Sequence, residues 1–220
     1  MKKEESKVIA QKLQKISNST LALKHCRAGG TGPTLFGEQF RAVTAGKGCM
    51  EAYETFPRIE VSFNVFLASK VRFRHDASDS VLEIYYCRSG RVGWNMQGGT
   101  AVYLGTGDVT AHSMACCADS AMMFPLGYSE GISISVDLKQ LSSICPEVLK
   151  NAGVEADQLR DRFCSGKPSA IPSCSDLEHI FAPLFSAPAS VRISLLKLKV
   201  LEILIYLSNM KVQFTRDYTG

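Results

Sequence analysis

The sequence has no HxH, HxxxH or CxxC spacing, and its four histidines, His25, His75, His112 and His179, stand far apart. Metal-dependent barrels hold a divalent ion with clustered imidazoles and a carboxylate, so neither that chemistry nor a structural zinc site has sequence support. No Cys–His arrangement can be argued for nucleophilic catalysis. Gly29-Gly30-Thr31-Gly32 is glycine-rich but lacks the GK[ST] ending of a phosphate loop and a following helix, and reads as a flexible connector. Continuous apolar runs are short as well. The richest stretch, Val191 to Met210, is interrupted by Arg192, Lys197, Lys199 and Glu202, well below the roughly 18 uninterrupted apolar residues of a membrane span. The opening MKKEESKVIAQKLQK has charges but no apolar run behind them, so a secretory leader is not expected and the cytoplasm is. A net charge of +4 without any dense Lys/Arg cluster does not describe a nucleic-acid surface. The eight cysteines are irregularly spaced, which suits buried free thiols rather than a disulfide framework.

What is present is a series of short β-type segments. Ile59–Leu67 (IEVSFNVFL), Lys70–Arg74, Val81–Cys87 (VLEIYYC), Arg91–Met96, Thr100–Leu104, Val109–Met114, Ala121–Phe124 and Gly131–Leu138 (GISISVDL) are rich in β-branched and aromatic residues. Turns at Ser89-Gly90, Gly98-Gly99 and Gly107-Asp108 separate several of them, the signature of an all-β sandwich or barrel. GISISVDL alternates, with Ile132, Ile134 and Val136 on one face and Ser133, Ser135 and Asp137 on the other. Ahead of this region lies a polar lead with Val8, Leu13 and Ile16 at helical spacing, then a Gly/Thr/Lys-rich stretch from Ala28 to Gly48 that suits loop or extended backbone.

After Leu138 the periodicity becomes helical. Asp137 is a candidate N-cap for Leu138–Ile144, Pro146 opens the next turn, Glu155–Cys164 is a further candidate, and Ser175 is read as the cap of a helix carrying Leu177, Ile180, Phe181, Leu184 and Phe185. The longest helix is expected over 190–210. Leu196, Val200, Ile203, Leu207 and Met210 form a seam widened by Leu195, Leu198, Leu204 and Ile205, too much apolar surface for one neighbour.

The order of elements, together with LEIYYCRSGR (82–91), YLGTGD (103–108) and the terminal LLKLKVLEILIYLS, resembles the N-terminal half of AraC-type bacterial transcription regulators. The resemblance covers roughly residues 55–210. It implies a mainly β fold with C-terminal helices: a cupin-like double-stranded β-helix barrel followed by a helical dimerisation segment. The expected divisions are a lead and irregular arm over 1–54, the barrel over 55–138, helices over 139–210, and a linker stub over 211–220. Such regulators continue into helix-turn-helix units, so DNA contact is expected only through a domain outside this sequence. The implied function is sensing of a small-molecule effector and homodimerisation through Leu196, Val200, Ile203 and Leu207, with no catalysis, cofactor or membrane partner. A cupin-fold enzyme and a stand-alone binding module are the alternatives.

A small barrel can enclose one ligand. Glu83, Tyr85, Tyr86, Trp94, Met96, Tyr103 and His112 are the pocket candidates. On VLEIYYC one face shows Glu83, Tyr85 and Cys87, the other Leu82, Ile84 and Tyr86. If the first face turns inward, Glu83 and Tyr85 meet the ligand; otherwise Tyr86 does. Cys116-Cys117, flanked by Met114, Met122 and Met123, is a sulfur-rich patch of the composition that soft metals or thiol-reactive effectors require. Read as a strand, it would point the two thiols to opposite faces.

Overall fold

A computed structural model of the chain describes residues 2–26 and 40–210. The Gly29–Gly32 connector, most of the Ala28–Gly48 stretch and the 211–220 stub lie outside the described residues. In chain order the elements are α1 (Lys2–Lys12), β1 (Thr20–Cys26), β2 (Arg41–Thr44), β3 (Lys47–Phe56), β4 (Ile59–Leu67), β5 (Lys70–Arg74), β6 (Val81–Gly90), β7 (Val92–Asn95), β8 (Ala101–Leu104), β9 (Val109–Ser113), α2 (Met114–Cys117), β10 (Asp119–Met123) and β11 (Tyr128–Asp137). The helical part follows: α3 (Leu138–Ser143), α4 (Glu147–Asn151), α5 (Ala156–Phe163), β12 (Ser169–Ile171), α6 (Ser175–Phe181) and α7 (Arg192–Asn209).

One sheet runs β1-β3-β4-β11-β6-β9-β12 and the other β2-β5-β10-β7-β8. From β4 to β11 the chain alternates between the sheets except at the β7–β8 hairpin, and first and last strands of this set lie side by side. That is the rolled-up double Greek key of a double-stranded β-helix. The protein is therefore mainly β with C-terminal helices, as expected from its glycine-punctuated strands. Part of the stretch expected as an irregular arm is strand. β3 pairs along β4, β1 adds to β3 in parallel, and β2 joins β5. Its alternation is blurred by Gly48, Cys49 and the charged Lys47, Glu51 and Glu54, which hid it from a pattern search.

The two faces of the larger sheet carry different cores. Outward, Val61, Leu82, Ile84, Ile132, Ile134 and Val136 meet Leu141, Leu159, Phe163 and Phe181 from the helices, together with Leu196, Val200, Ile203 and Leu207 of α7. Because helices cover one face and the second sheet the other, β6 is buried along most of its length, which explains its nearly unbroken apolar run. Inward, Phe66, Phe73, Tyr85, Trp94, Met122 and Phe124 pack between the sheets.

Local chemistry sets the joints. The Asp137 carboxylate accepts from the backbone N–H groups of Lys139 and Gln140, each at 3.1 Å, capping α3 as expected. The N-cap of α6 is Cys174 rather than Ser175. Gly90 ends β6 at φ +95, and a Cβ there would stand 2.5 Å from the Tyr128 carbonyl oxygen, so glycine fits both constraints. Ile9 of α1 and Leu13 just after it are the anchors, whereas Val8 faces outward.

Candidate functional site

The candidate site lies inside the barrel. Register places Glu60 beside Ser135, Ser135 beside Glu83, and Glu83 beside His112, a polar row crossing β4, β11, β6 and β9. The next row toward the other end is Ser62, Ser133, Tyr85 and Thr110. All eight are buried. The face left open by the sequence is thus settled: Glu83, Tyr85 and Cys87 point between the sheets, Leu82, Ile84 and Tyr86 toward the helices.

These rows floor a cavity of about 30 Å³, on a measure by which one enclosed water needs roughly 10–15 Å³. Its polar lining is Glu83, Asn64, Ser133 and His75; Tyr85, Trp94, Phe66 and Phe73 supply aromatic walls, and Phe40, Met50, Met122 and Cys117 close it. Serine and asparagine side chains order the floor. Ser135 donates to Glu83 Oε2 at 2.6 Å, Asn64 Nδ2 donates to Ser133 Oγ at 2.9 Å, and Ser62 donates to Asn64 Oδ1 at 2.8 Å. Trp94 is held by donation from its indole nitrogen to Ser120 Oγ at 3.0 Å, and its ring stands edge-on to Tyr85 and to His112. The Tyr85 hydroxyl lies over Gly131, where a Cβ would come within 2.5 Å of it; only glycine at that point of β11 lets the ring reach Ser129, 3.3 Å away.

Burial dictates the charge states. Desolvation pushes the Glu83 carboxyl up to about 8 against the pull of its Ser135 hydrogen bond, with the Glu60 charge raising it further. It lowers His112 to about 3, helped by His75, and lowers His75 as well. Both ring nitrogens of His112 lack a hydrogen-bond partner. The Cys117 thiol, 3.6 Å from His75 Nε2, is raised well above its ordinary value by desolvation. At neutral pH the interior therefore holds a protonated carboxyl, two neutral imidazoles and a protonated thiol, suited to hydrogen bonding and poor for nucleophilic attack.

Of the pocket candidates, Glu83, Tyr85 and Trp94 line the cavity. His112 adjoins Trp94 and Glu83 from behind the lining, and Met96 is buried in the inner core without reaching the cavity. Two candidates are corrected. Tyr86 faces away, stacked on Phe181 with ring centroids 4.3 Å apart, because strand alternation sends it opposite to Tyr85. Tyr103 is 70% exposed on the outer side of β8. Of the dimerisation residues, Leu196, Val200, Ile203 and Leu207 are at most 1% exposed in the single chain, packed in the core shared by the helices and the larger sheet. Cys116 and Cys117 occupy a helical turn, not a strand. Among the described residues no group of three His, Cys, Asp or Glu side chains converges as a metal site.

Sequence reading missed Asn64, Phe66, Phe73, His75, Met50 and Ser133 as lining. The clue was in IEVSFNVFL and GISISVDL: Glu60, Ser62 and Asn64, like Ser133 and Ser135, alternate with apolar residues in strands that turn their polar face inward. It also overlooked one GxSxG spacing, Gly127-Tyr128-Ser129-Glu130-Gly131. That spacing signals a nucleophile elbow only on a strand-to-helix turn. Here Ser129 sits within β11, fully buried against Tyr85.

No protein-family model matches this chain, and no curated protein does. Among solved structures the chain is similar to the AraC-like transcriptional activator CuxR, at 10% identity over 83% of this chain and 61% of that one, with a TM-score of 0.46. It is similar to ToxT from Vibrio cholerae with an unsaturated fatty acid bound, at 10% identity over 67% and 52%, TM-score 0.42. A cupin protein from Bacteroides fragilis matches at 18% identity over 37% and 68%, TM-score 0.28. The chain thus spans about three-fifths of the CuxR chain and half of the ToxT chain. At these identities and scores the likenesses add nothing to what the strand order already establishes.

Proposed function

We propose that this chain is the effector-sensing and dimerising part of an AraC-type transcription regulator, with the barrel interior as the effector site and no catalysis of its own. The observation that carries the reading is the two-sidedness of β6. Its inward residues, Glu83 and Tyr85, line the cavity, while its outward residues pack the helical unit, Tyr86 stacking on Phe181 of α6. The next outward group, Arg88, lies 4.0 Å over the Phe185 ring. A ligand that draws Glu83 or Tyr85 into new hydrogen bonds shifts the strand on which α6 rests, and any such difference in affinity biases the helical arrangement.

Dimerisation is assigned to the outward side of α7. An exposed apolar strip is centred on Leu198, 62% exposed, with Leu201 and Ile205 beside it only partly exposed because they also pack on the helical core. Val191 extends this apolar strip at the N-terminal end. A second copy burying that strip would give the twofold symmetry that paired half-sites on DNA require.

The test is a fusion of the whole chain to a DNA-binding domain that represses a reporter only as a dimer. The wild-type fusion is expected to repress, and Leu198→Glu to abolish repression while leaving the chain folded by circular dichroism. A wild-type fusion that does not repress would overturn the dimerisation half of the reading.

A further inference from the structure

The cavity has a chemical sense beyond its size. Its acid, Glu83, is 2% exposed, with one carboxyl oxygen held by Ser135 and the group reaching the cavity lining. None of the described lining residues is lysine or arginine. Glu60 stands two strands away in the same row, across Ser135, adding negative potential rather than compensating it. The other titratable neighbours are His112 on β9, His75 at the end of β5 and Cys117 on α2. Burial keeps the imidazoles neutral and the thiol protonated. Around the acid stand the faces and edges of Phe66, Phe73, Tyr85 and Trp94. Aromatic walls with a carboxylate at the floor are the arrangement that attracts organic cations, through ring quadrupoles and a charged hydrogen bond.

We infer that the barrel cavity takes an alkylammonium group, its nitrogen on the Glu83 carboxyl and its carbons against the aromatic walls. The inference rests on reading the barrel interior as the ligand site. At about 30 Å³ the cavity fits a head of methylammonium size. Binding is coupled to a proton: the neutral carboxyl gives up its hydrogen to solvent, and the ammonium replaces it as the positive partner. Charge and atoms balance, with one proton released for each cation bound. Binding therefore strengthens as pH rises through the range in which Glu83 ionises, up to the point where an alkylamine itself deprotonates, near the lysine value of roughly 10.

Trp94 is the single tryptophan of the chain and lines the cavity, so its fluorescence reports occupancy. Methylammonium, methanol and formate are similar in size and differ in charge. Each is titrated at constant ionic strength, at pH 6.5 and pH 9, against the full chain and against Glu83→Gln. The expected result is saturable binding of methylammonium only, on the order of millimolar for so small a probe. Binding should be about tenfold or more tighter at pH 9, and both the affinity and its pH dependence should be lost in Glu83→Gln. Glu83→Asp, which keeps the charge, retains the preference for the cation and guards against a misfolded glutamine variant. Methanol or formate saturating as well as methylammonium, or an unchanged Glu83→Gln titration, would overturn the cation assignment and leave the cavity as a ligand site. Silence from all three probes overturns both.

Discussion

The two faces of strand β6 behave as different materials. Outward, Leu82, Ile84 and Tyr86 join an apolar core shared with the helices; inward, Glu83, Tyr85 and Cys87 join rows of serine, threonine, histidine and acid. In an ordinary barrel the interior is the core and the outside is wet. Here both sides are buried, and the polar rows lie on the inside. Burying an acid and an unpartnered imidazole costs free energy that apolar side chains would not, so the inner core of Phe66, Phe73, Trp94, Met122 and Phe124 is interrupted by a site that the outer core lacks.

The largest expected effect comes from making the outer face resemble the inner one. Leu196→Glu or Ile134→Asp would bury an unpaired charge in the helix–sheet core and is expected to destabilise by more than about 4 kcal/mol, read as collapse of the urea midpoint. A loss below about 1 kcal/mol would mean that the helices do not seal that face.

The reverse change is next in size. Because Glu83 has a folded-state value raised from 4.5 to about 8, the unfolded chain releases its proton first. Stability from this group is then full below about pH 4.5 and declines as pH rises to about 8, by ~1.4 kcal/mol per unit. Glu83→Gln removes that decline. It is expected to stabilise the protein by up to a few kcal/mol at pH 8 and by nothing at pH 4, measured as the difference in melting curves across pH.

A smaller effect belongs to His112, whose value is depressed from 6.5 to about 3. Its contribution is present above pH 6.5 and lost as pH falls toward 3, opposite in sign to Glu83. His112→Phe is expected to flatten this acid limb and to gain about 1–2 kcal/mol at pH 7 by removing two unpartnered nitrogens. Smallest in stability is Leu198→Glu on the outward side of α7, within about 0.5 kcal/mol for an exposed site. Its effect belongs in light scattering, as a shift from dimer to monomer.

The same contrast explains what the sequence could disclose. Strand positions and the switch to helices were legible because glycine turns and β-branched runs report backbone directly, and eight strands in that order leave few ways to roll up. Which face of a strand looks inward was not legible from alternation alone: GISISVDL has an apolar and a polar face, and both are buried because the helices cover the apolar one. The seam of α7 was open to two readings for a related reason. Leu196, Val200, Ile203 and Leu207 mark the most buried side of the helix, which packs within the chain's own core, and Leu198 is the residue left exposed on the other side. His75 and Cys117 reach the cavity from segments flanking the strands, where spacing has no period to follow.

The inner face is a buried polar site built around one acid, Glu83, that burial holds neutral. The most direct test is the side-chain carboxyl carbon resonance of Glu83, followed by NMR across pH in the full chain and assigned by its loss in Glu83→Gln. The expected result is a carboxyl that keeps its proton through neutrality and titrates at about 8. A resonance titrating near the ordinary 4.5 would overturn this, since a carboxyl that ionises so readily is in contact with water rather than buried between the sheets.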